Sequence, residues 1–537
     1  MARAIDTGPT TPPLPTTTIG GALDEAVRRF GDREALVSVE QGQRYTYREL
    51  SEAVDRVARG LVARGIEKGD RVGIWAPNCT EWVLVQYATA RIGALLVTVN
   101  PAYRTSELAY VVDHSGMRLL LAAPSFKGSD YTAMVREAAP ELDALYFGSP
   151  EWEALSVDGG PLPDRQLTPD EPVNVQYTSG TTGFPKGATL SHLNILGNGF
   201  LVGEGCGYTE ADRVCVPVPF YHCFGMVMGN LGALSHGACV VVPAAAFDPA
   251  ATLRAVADER CTSLYGVPTM FIAELALPDF SSYDLSSLRT GIMAGTTCPV
   301  EVMKQVLTFM PEVTIAYGMT ETSPVSTQTT TEDSLERRVS TVGRVHPHVT
   351  VKVVDPATGE LVERGTVGEF CTAGYGVMVG YWAGEERTAE AIDDEGFMHT
   401  GDLAIMDEDG YLSIVGRSKD MVIRGGENVY PREVEEFLHG HPDVLDVQVV
   451  GVPDVKYGEE LCAWVQLADG SSLTEDALRE WCRGRLAHYK VPRYVRFTDG
   501  FPMTVTGKVQ KFKMRDTSVA ELGLDEAASA EAAGGRD

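Results

Sequence analysis

The sequence is poor in basic residues and has no long apolar run. Its 537 residues contain 45 Lys and Arg against 74 Asp and Glu, a formal net charge of −29. A field of that sign repels polyanions, which argues against general binding to nucleic acid or to an anionic membrane surface. Apolar runs such as 237–247 are much shorter than the roughly 18 residues that a membrane-spanning helix needs. Integral membrane association is therefore not expected.

The ten cysteines follow no recognised pattern. They form no CxxC pair and no Cys/His array with zinc-binding spacing. Unpaired thiols are typical of a reducing compartment, and no metal cluster is indicated. The N-terminus lacks the apolar segment of about 7 to 15 residues that a secretory signal requires. Cytoplasmic residence is the resulting prediction.

The composition that is present belongs to a folded protein. Hydrophobic residues make up 44% and charged residues 22%, close to ordinary globular usage. Apolar residues repeat at helical spacing over 50–62, after Thr46 and Glu49 placed as a capping box. Strand-like runs at 71–75 and 95–99 flank a second helical stretch that starts near Thr80. This alternation predicts an α/β fold, with a large N-terminal body of layered α/β subdomains.

The character of the chain changes after Gly416, where a turn-rich stretch precedes a small, mobile α+β domain. The predicted organisation is a flexible lead-in over 1–17, the N-terminal body over 18–418, the C-terminal domain over 419–515 and a flexible tail over 516–537. No long Gly/Ser linker lies near Lys419, so we expect a short hinge there.

The strongest local signal is the loop YTSGTTGFPKG over 177–187. Its glycines free the backbone and its hydroxyls offer donors, which suits a loop that wraps phosphate. Lys186 adds a cation, and the next residues predict a helix whose start would present free amides to the anion. A Walker A loop is excluded, because Gly187 stands where that motif needs Ser or Thr. The alternative is a flexible surface turn.

This loop resembles the signature of the adenylate-forming, or AMP-binding, superfamily, which includes acyl-CoA synthetases and nonribosomal adenylation domains. The resemblance spans residues 18 to 515 and continues, in the family's order, through 219–225, 317–322, 400–402, 416–420, 425–431 and 506–511. The C-terminal half, especially GYGVMVGYW, looks most similar to the medium-chain fatty acyl-CoA synthetase branch.

The resemblance implies a two-step ligase. A carboxylate and MgATP give acyl-AMP and pyrophosphate, and the thiol of coenzyme A then displaces AMP to leave a thioester. ATP, Mg²⁺, coenzyme A and a small carboxylic acid are the implied partners, and the chain is expected to be a monomer or a homodimer. The residues implied in ATP binding are Thr178, Ser179, Gly180, Thr181, Thr182, Gly183, Lys186, Gly295, Tyr317, Gly318, Asp402 and Arg417.

The resemblance also implies the catalytic residues. Lys508 would bridge the attacking carboxylate and the α-phosphate, although an isolated lysine in such a turn is most often a solvated charge. Thr320 and Glu321 supply oxygens suited to Mg²⁺, with Glu321 as the metal ligand. His222 would line the acyl pocket; alone it would be read as a core histidine. In the same way, Asp402 alone would be an ordinary exposed acid.

The second step would need a different domain position. By resemblance, rotation about Lys419, where many relatives have Asp, would withdraw Lys508 and bring Gly425 and Gly426 to the thiol channel. The run 483–515 contains nine Lys or Arg against one acid, which suggests a patch that attracts coenzyme A phosphates. A solvated surface face is the alternative.

Other activities of the same superfamily stay open. No acidic residue occurs between Phe220 and Ala233 to hold an α-amino group, so an amino acid substrate is disfavoured. An aryl-CoA ligase of the coumarate or benzoate type, a fatty acyl-AMP ligase that loads a carrier protein and a noncatalytic scaffold are the alternatives to an aliphatic acyl-CoA synthetase.

Overall fold

The computed structural model describes residues 2–156, 159–178, 185–296, 298–425, 427–483, 485–503 and 509–524. The strands are β1 (Ile5–Thr7), β2 (Glu34–Ser38), β3 (Gln43–Thr46), β4 (Arg71–Trp75), β5 (Leu95–Thr98), β6 (Leu119–Ala122), β7 (Ser125–Phe126), β8 (Ser129–Asp130), β9 (Asp143–Tyr146), β10 (Pro172–Thr178), β11 (Lys186–Ser191), β12 (Arg213–Cys215), β13 (Cys239–Val242), β14 (Ser263–Gly266), β15 (Thr290–Ala294), β16 (Glu312–Gly318), β17 (Val325–Gln328), β18 (Arg344–Val345), β19 (Val349–Val354), β20 (Gly368–Gly374), β21 (Gly380–Tyr381), β22 (Met398–Met406), β23 (Leu412–Arg417), β24 (Val422–Arg424), β25 (Glu427–Val429), β26 (Val444–Asp454), β27 (Gly458–Leu467) and β28 (Tyr494–Phe497).

The α-helices are α1 (Ile19–Phe30), α2 (Tyr47–Ala63), α3 (Thr80–Ile92), α4 (Thr105–Ser115), α5 (Tyr131–Ala138), α6 (Pro150–Glu153), α7 (His192–Gly205), α8 (Gly232–His236), α9 (Pro249–Asp258), α10 (Pro268–Leu275), α11 (Val300–Val306), α12 (Leu335–Ser340), α13 (Glu385–Ala391), α14 (Pro431–His439), α15 (Glu475–Cys482) and α16 (Lys511–Leu522). A π-helix covers Phe224–Leu231, and 3₁₀ turns cover Phe280–Ser282, Thr320–Thr322, Ser418–Asp420 and His488–Lys490. Within the described residues, we find no helix with both the length and the hydropathy of a membrane span.

Three large sheets and the two-stranded pair β7-β8 form the N-terminal body within these residues. The first sheet has the order β21-β11-β10-β5-β4-β6-β9, the second β18-β17-β16-β15-β14-β12-β13-β2-β3 and the third β1-β19-β20-β22-β23. Neighbouring strands at the centres of the first two sheets run parallel, with helices between them, which confirms the predicted α/β class.

One hydrophobic core joins the first and second sheets. Helix α2 begins with the predicted capping box, in which Thr46 and Glu49 each bond the other's backbone amide. Its apolar face, including Leu50 and Val54, enters the core that also holds residues of β4, β5, β12 and β13. The predicted strand at Arg71–Trp75 and the helix that starts at Thr80 are confirmed.

Among the residues that the structure describes, no hydrophobic cluster extends across Lys419. The third sheet has its own small core around Phe370 and Met406. In the C-terminal domain, strands β24 to β28 pair into one sheet and pack α14 and α15 on a cluster that contains Val449 and Leu478. Because separate cores allow separate movement, this division supports a joint near Lys419, and its position stays a prediction.

The predicted flexible lead-in over 1–17 is wrong for residues 2–8, which lie at a sheet edge, and stays a prediction for residues 9–17. Strand β1 pairs antiparallel with β19, with Thr7 opposite Thr350, and Ala4 is fully buried. The sequence signal was misleading because a Thr- and Pro-rich composition resembles a linker, whereas the backbone of residues 5–7 completes a sheet edge. Thr18 then caps α1 through its side chain.

The predicted tail boundary at 516 is also wrong. Helix α16 continues to Leu522, and Met514 is fully buried against β26 and β27. The indole of Trp464 donates a hydrogen bond to the Ser518 hydroxyl at 2.9 Å. Residues up to 524 therefore belong to the C-terminal domain, and the rest of the predicted tail lies outside the described residues.

Candidate active site

The phosphate-loop candidate connects two antiparallel strands. Strands β10 and β11 pair so that Thr178 lies opposite Lys186, and the Thr178 hydroxyl is 3.5 Å from the Lys186 carbonyl oxygen. The predicted ATP-binding residues Ser179, Gly180, Thr181, Thr182 and Gly183 lie outside the described residues.

The prediction that a helix starts directly after this loop is wrong. Residues 186–191 form β11, which pairs with β10 on one side and β21 on the other. Helix α7 starts only at His192, and the Ser191 side chain caps it by accepting from the amide of Asn194. The backbone of 186–191 pairs with a strand on each side, so the start of α7 lies at the opposite end of β11 from Lys186.

Lys186 is connected to Glu321 through a tyrosine that the sequence analysis did not single out. The Lys186 ammonium lies 4.9 Å from the centre of the Tyr381 ring. The Tyr381 hydroxyl donates to Glu321 Oε1 at 2.8 Å. Burial, followed by the charge of Glu321, raises the pKa of Tyr381, so the phenol stays protonated and acts as a donor. Strand β21 pairs with β11, with Tyr381 opposite Ala188, and this pairing positions Tyr381 between Lys186 and Glu321.

A second set of contacts orients the Asp402 carboxylate. The Tyr317 hydroxyl donates to Asp402 Oδ2 at 2.7 Å, and Arg417 Nε lies 3.1 Å from Asp402 Oδ1. Asp402 and Arg417 face each other in register on β22 and β23. The Thr400 hydroxyl accepts from the Asp402 amide at 3.1 Å. The structure thus brings Tyr317, Asp402 and Arg417 together, although 85 residues of chain separate the first two.

The segment 317–321 joins the two sets of contacts. A Cβ at Gly318 would overlap with the Pro324 carbonyl oxygen, so only glycine fits there. Thr320 and Glu321 follow on a single 3₁₀ turn and are 8% and 6% exposed. An acid so deeply buried needs partners, and the Tyr381 hydroxyl is one of them.

Gly295 lies beside this segment. Strands β15 and β16 are parallel, with Ala294 opposite Ala316, so Gly295 and Tyr317 both follow at the carboxyl ends of adjacent strands. Ligands of open α/β sheets bind at such ends. Gly295 has φ +95°, a conformation that L side chains rarely adopt, which explains glycine at this position.

His222 borders an apolar region next to the same turn. Its Nδ1 accepts from the Phe224 amide at 3.1 Å, so a neutral ring carries its proton on Nε2. Burial raises the pKa of the adjacent Cys223 thiol to about 12, and Glu321 and Thr320 are among the groups near that thiol. The π-helix that follows is entirely buried, and Phe224 stacks on Tyr265 at 5.5 Å.

The C-terminal residues of the predicted site are only partly described. Lys508 and Gly426 lie outside the described residues. Gly425 has φ +62°, and its amide donates to the Tyr457 carbonyl at 2.8 Å. A Cβ there would lie 3.1 Å from the Tyr457 ring. Lys419 belongs to the 3₁₀ turn Ser418–Asp420, directly after β23.

The basic run 483–515 is far less cationic than its sequence suggests. Carboxylates from the sequence on either side pair with most of its charges. The pairs are Arg483–Glu480, Lys490–Glu433, Arg493–Asp454, Arg496–Glu521, Lys511–Glu435 and Arg515–Glu459. The predicted phosphate-attracting patch is therefore largely neutralised, because counting charges within one stretch misses the acids that the fold brings to it.

Known proteins match this chain over nearly its whole length. The AMP-binding enzyme family matches residues 23–382, and the AMP-binding enzyme C-terminal domain matches residues 433–508. YngI of Bacillus subtilis (strain 168) is 49% identical over 540 residues, which cover 95% of this chain and 98% of YngI. The mitochondrial medium-chain acyl-CoA ligase ACSF2 of Danio rerio is 43% identical over 545 residues, with coverages of 95% and 90%.

A solved structure agrees with the fold. ATP-bound MatB from Rhodopseudomonas palustris superposes with a TM-score of 0.85 at 30% identity, covering 94% of this chain and 99% of MatB. The chain belongs to the family of AMP-binding enzymes. Within that family it is an acyl-CoA synthetase, an AMP-forming ligase that activates a carboxylic acid as acyl-AMP and transfers the acyl group to coenzyme A.

Proposed function

We propose that this acyl-CoA synthetase acts on a medium-chain fatty acid, with the roles of its residues as the sequence analysis gives them. The observation that carries the assignment of the active site is the meeting of two sets of contacts at 317–321. One runs from Lys186 through Tyr381 to Glu321, and the other from Tyr317 to Asp402 and Arg417.

The nucleotide would lie along these contacts. Asp402 is held with both oxygens oriented and is suited to accept hydrogen bonds from ribose hydroxyls, with Arg417 as a second contact. Lys186 starts β11 directly after the loop and supplies a positive charge for the β- and γ-phosphates. The base would lie beside Tyr317 and Gly295, at the carboxyl ends of two adjacent parallel strands.

The residues present fit Mg²⁺ at Glu321. Its carboxylate is buried and has one oxygen hydrogen-bonded to Tyr381, which leaves the second oxygen for a hard cation. When bound, the ion neutralises charge on the phosphates of ATP. Tyr381 fixes the direction of the carboxylate, and Thr320 offers a hydroxyl on the same turn.

The acyl group would occupy the apolar region beyond His222. The buried π-helix presents Met226, Val227 and Met228 among its residues, and an aliphatic chain needs such a wall. The similarity to ACSF2, named as a medium-chain acyl-CoA ligase, supports the same choice. An aryl acid or a carrier-protein acceptor would instead assign one of the two alternative activities.

The second step would use a moved C-terminal domain. We propose the hinge at Lys419, between a body that ends at 418 and a domain that extends to at least 524. Lys508 would serve adenylate formation, and Gly425 with Gly426 would pass the pantetheine arm. The separate cores on the two sides of Lys419 support this division. Residence in the cytoplasm and a monomeric or dimeric state remain predictions.

The test is ATP–pyrophosphate exchange with straight-chain, branched and aryl acids, followed by product analysis with free coenzyme A. Acids of medium chain length should give the highest kcat/KM and a thioester product. Exchange with aryl acids alone would refute the proposed fatty acid substrate. Formation of the adenylate without a thioester would refute coenzyme A as the acceptor.

The role of Lys508 has its own test. Lys508→Ala should abolish adenylate formation far more than thioester formation from preformed acyl-AMP, because only the first step needs the bridging charge. Lys513→Ala, a neighbouring lysine on α16, is the matched control and should leave both rates near those of the parent. Equal losses in both half-reactions of Lys508→Ala would contradict the two-position mechanism.

A further inference from the structure

A separate cluster of metal-binding side chain types lies on the third sheet. Cys371 on β20 faces His399 on β22 in register, and Glu369 precedes Cys371 by two residues, on the same face of its strand. One potential ligand atom from each residue lies within 4.8 Å of those from the other two. The sequence did not show this group, because its members come from two strands 28 residues apart and follow no zinc-finger spacing.

One distance within the cluster matches a tetrahedral zinc site, and a second is shorter. Cys371 Sγ lies 3.5 Å from His399 Nδ1, and Glu369 Oε2 lies 2.9 Å from the same nitrogen. Zinc–ligand bonds of about 2.0 to 2.3 Å place such atoms roughly 3.3 to 3.6 Å apart. The Sγ–Nδ1 distance already matches. The shorter oxygen–nitrogen distance is that of a hydrogen bond, which an ion between the two atoms would replace.

The ligands are also oriented from behind, as metal ligands are. His399 Nε2 lies 3.5 Å from Asp393 Oδ2, so the second ring nitrogen has a carboxylate partner and Nδ1 can face an ion. Asp393 is itself held by Lys352 at 3.1 Å. The other oxygen of Glu369 accepts from the Gly401 amide at 3.0 Å.

We propose that Glu369, Cys371 and His399 bind a divalent ion of the zinc type, with water in the fourth position. A thiolate and an imidazole favour Zn²⁺ or Co²⁺ over Mg²⁺, so this site differs in chemistry from the one proposed at Glu321. On binding, the metal–sulfur bond forms and the thiol proton passes to solvent. The ion would hold His399, and therefore the turn that leads directly to Asp402.

The test uses the full-length protein, treated with a chelator and then titrated with Co²⁺ alone. We expect a near-ultraviolet thiolate-to-cobalt charge-transfer band that saturates at one equivalent per chain and is removed by Zn²⁺. Cys371→Ser should lose the band, and His399→Gln should weaken binding at least tenfold. Cys462→Ser is the matched control, since that thiol is also buried but contacts Ser518, and it should keep the band.

Absence of the band in the parent protein, or an unchanged band in Cys371→Ser, would overturn the proposal and leave a metal-free hydrogen-bonded cluster. A second measurement covers variants that fail to fold. With Mg²⁺ kept at a constant concentration throughout, Zn²⁺ added to the chelated parent protein should raise the thermal unfolding midpoint. No shift with Zn²⁺ would equally overturn the site.

Discussion

Replacing Tyr381 by phenylalanine tests whether its hydroxyl positions Glu321. The change removes one hydrogen bond of 2.8 Å to a buried carboxylate and keeps the ring under Lys186. A hydrogen bond to a charged group contributes about 1.5 to 3 kcal/mol. If the whole contribution is used to hold the carboxylate for MgATP, kcat/KM for MgATP should fall about 10- to 150-fold.

The assay is ATP–pyrophosphate exchange at a series of Mg²⁺ concentrations, beside thioester formation from preformed acyl-AMP. We expect Tyr381→Phe to require more Mg²⁺ and to show its loss mainly in KM for MgATP. Thioester formation should stay near the parental rate, because that step involves no triphosphate. A thermal midpoint close to the parent's would exclude a general loss of structure.

Tyr375→Phe is the matched control. Its hydroxyl is buried and bonds to Asn198 rather than to an acid of the site. A Tyr381→Phe variant whose kcat/KM for MgATP stays within twofold of the parent's would show that the hydroxyl does not position Glu321. The same conclusion follows if Tyr381→Phe and Tyr375→Phe lose equal amounts of kcat/KM for MgATP. It also follows if adenylate formation and thioester formation fall together in Tyr381→Phe.

Two further predictions concern stability. Gly318→Ala should lower the free energy of unfolding by about 3 kcal/mol or more, because the added methyl group would overlap with the Pro324 carbonyl. Gly160→Ala is the control, since a methyl group there meets no neighbouring atom and should change the free energy of unfolding little. Equal denaturation midpoints of the two variants would contradict this prediction. Burial lowers the pKa of His192 to about 4, below the unfolded value near 6.5, so the unfolded chain takes up the proton first as the pH falls. The free energy of unfolding should therefore decrease as the pH falls from 6.5 towards 4, by about 2 kcal/mol between pH 6.5 and pH 5. Urea unfolding across this range should show a smaller decline in His192→Gln, and an identical decline would refute the assignment.

Local patterns predicted much of the fold. The capping box of α2, strand β4 and the helix that starts at Thr80 follow from periodicity and turn residues, and all three are confirmed. The segment 186–191 is a strand and not the predicted helix, because its residues KGATLS contain too few apolar side chains to show either period. Its two neighbouring strands, which decide the outcome, lie elsewhere in the chain.

The site could be predicted where a motif contains its own chemistry and could not where the fold assembles it. Glu321 and Asp402 were assigned from short motifs by resemblance, and those assignments stay predictions. Tyr381 was missed because its role depends on an acid 60 residues away. The basic run was misjudged for a related reason, since acids such as Glu433 and Glu435 reach it from α14.

The strand at the very start of the chain has a practical consequence. Residues 2–8 would commonly be treated as a flexible N-terminal segment and be truncated or fused to an affinity tag. Taking β1 away would leave the backbone amides and carbonyls of β19 open at the sheet margin, where another polypeptide could add itself. Variants that lack residues 2–8 should therefore aggregate more readily in storage, so an affinity tag is better attached at the C-terminus.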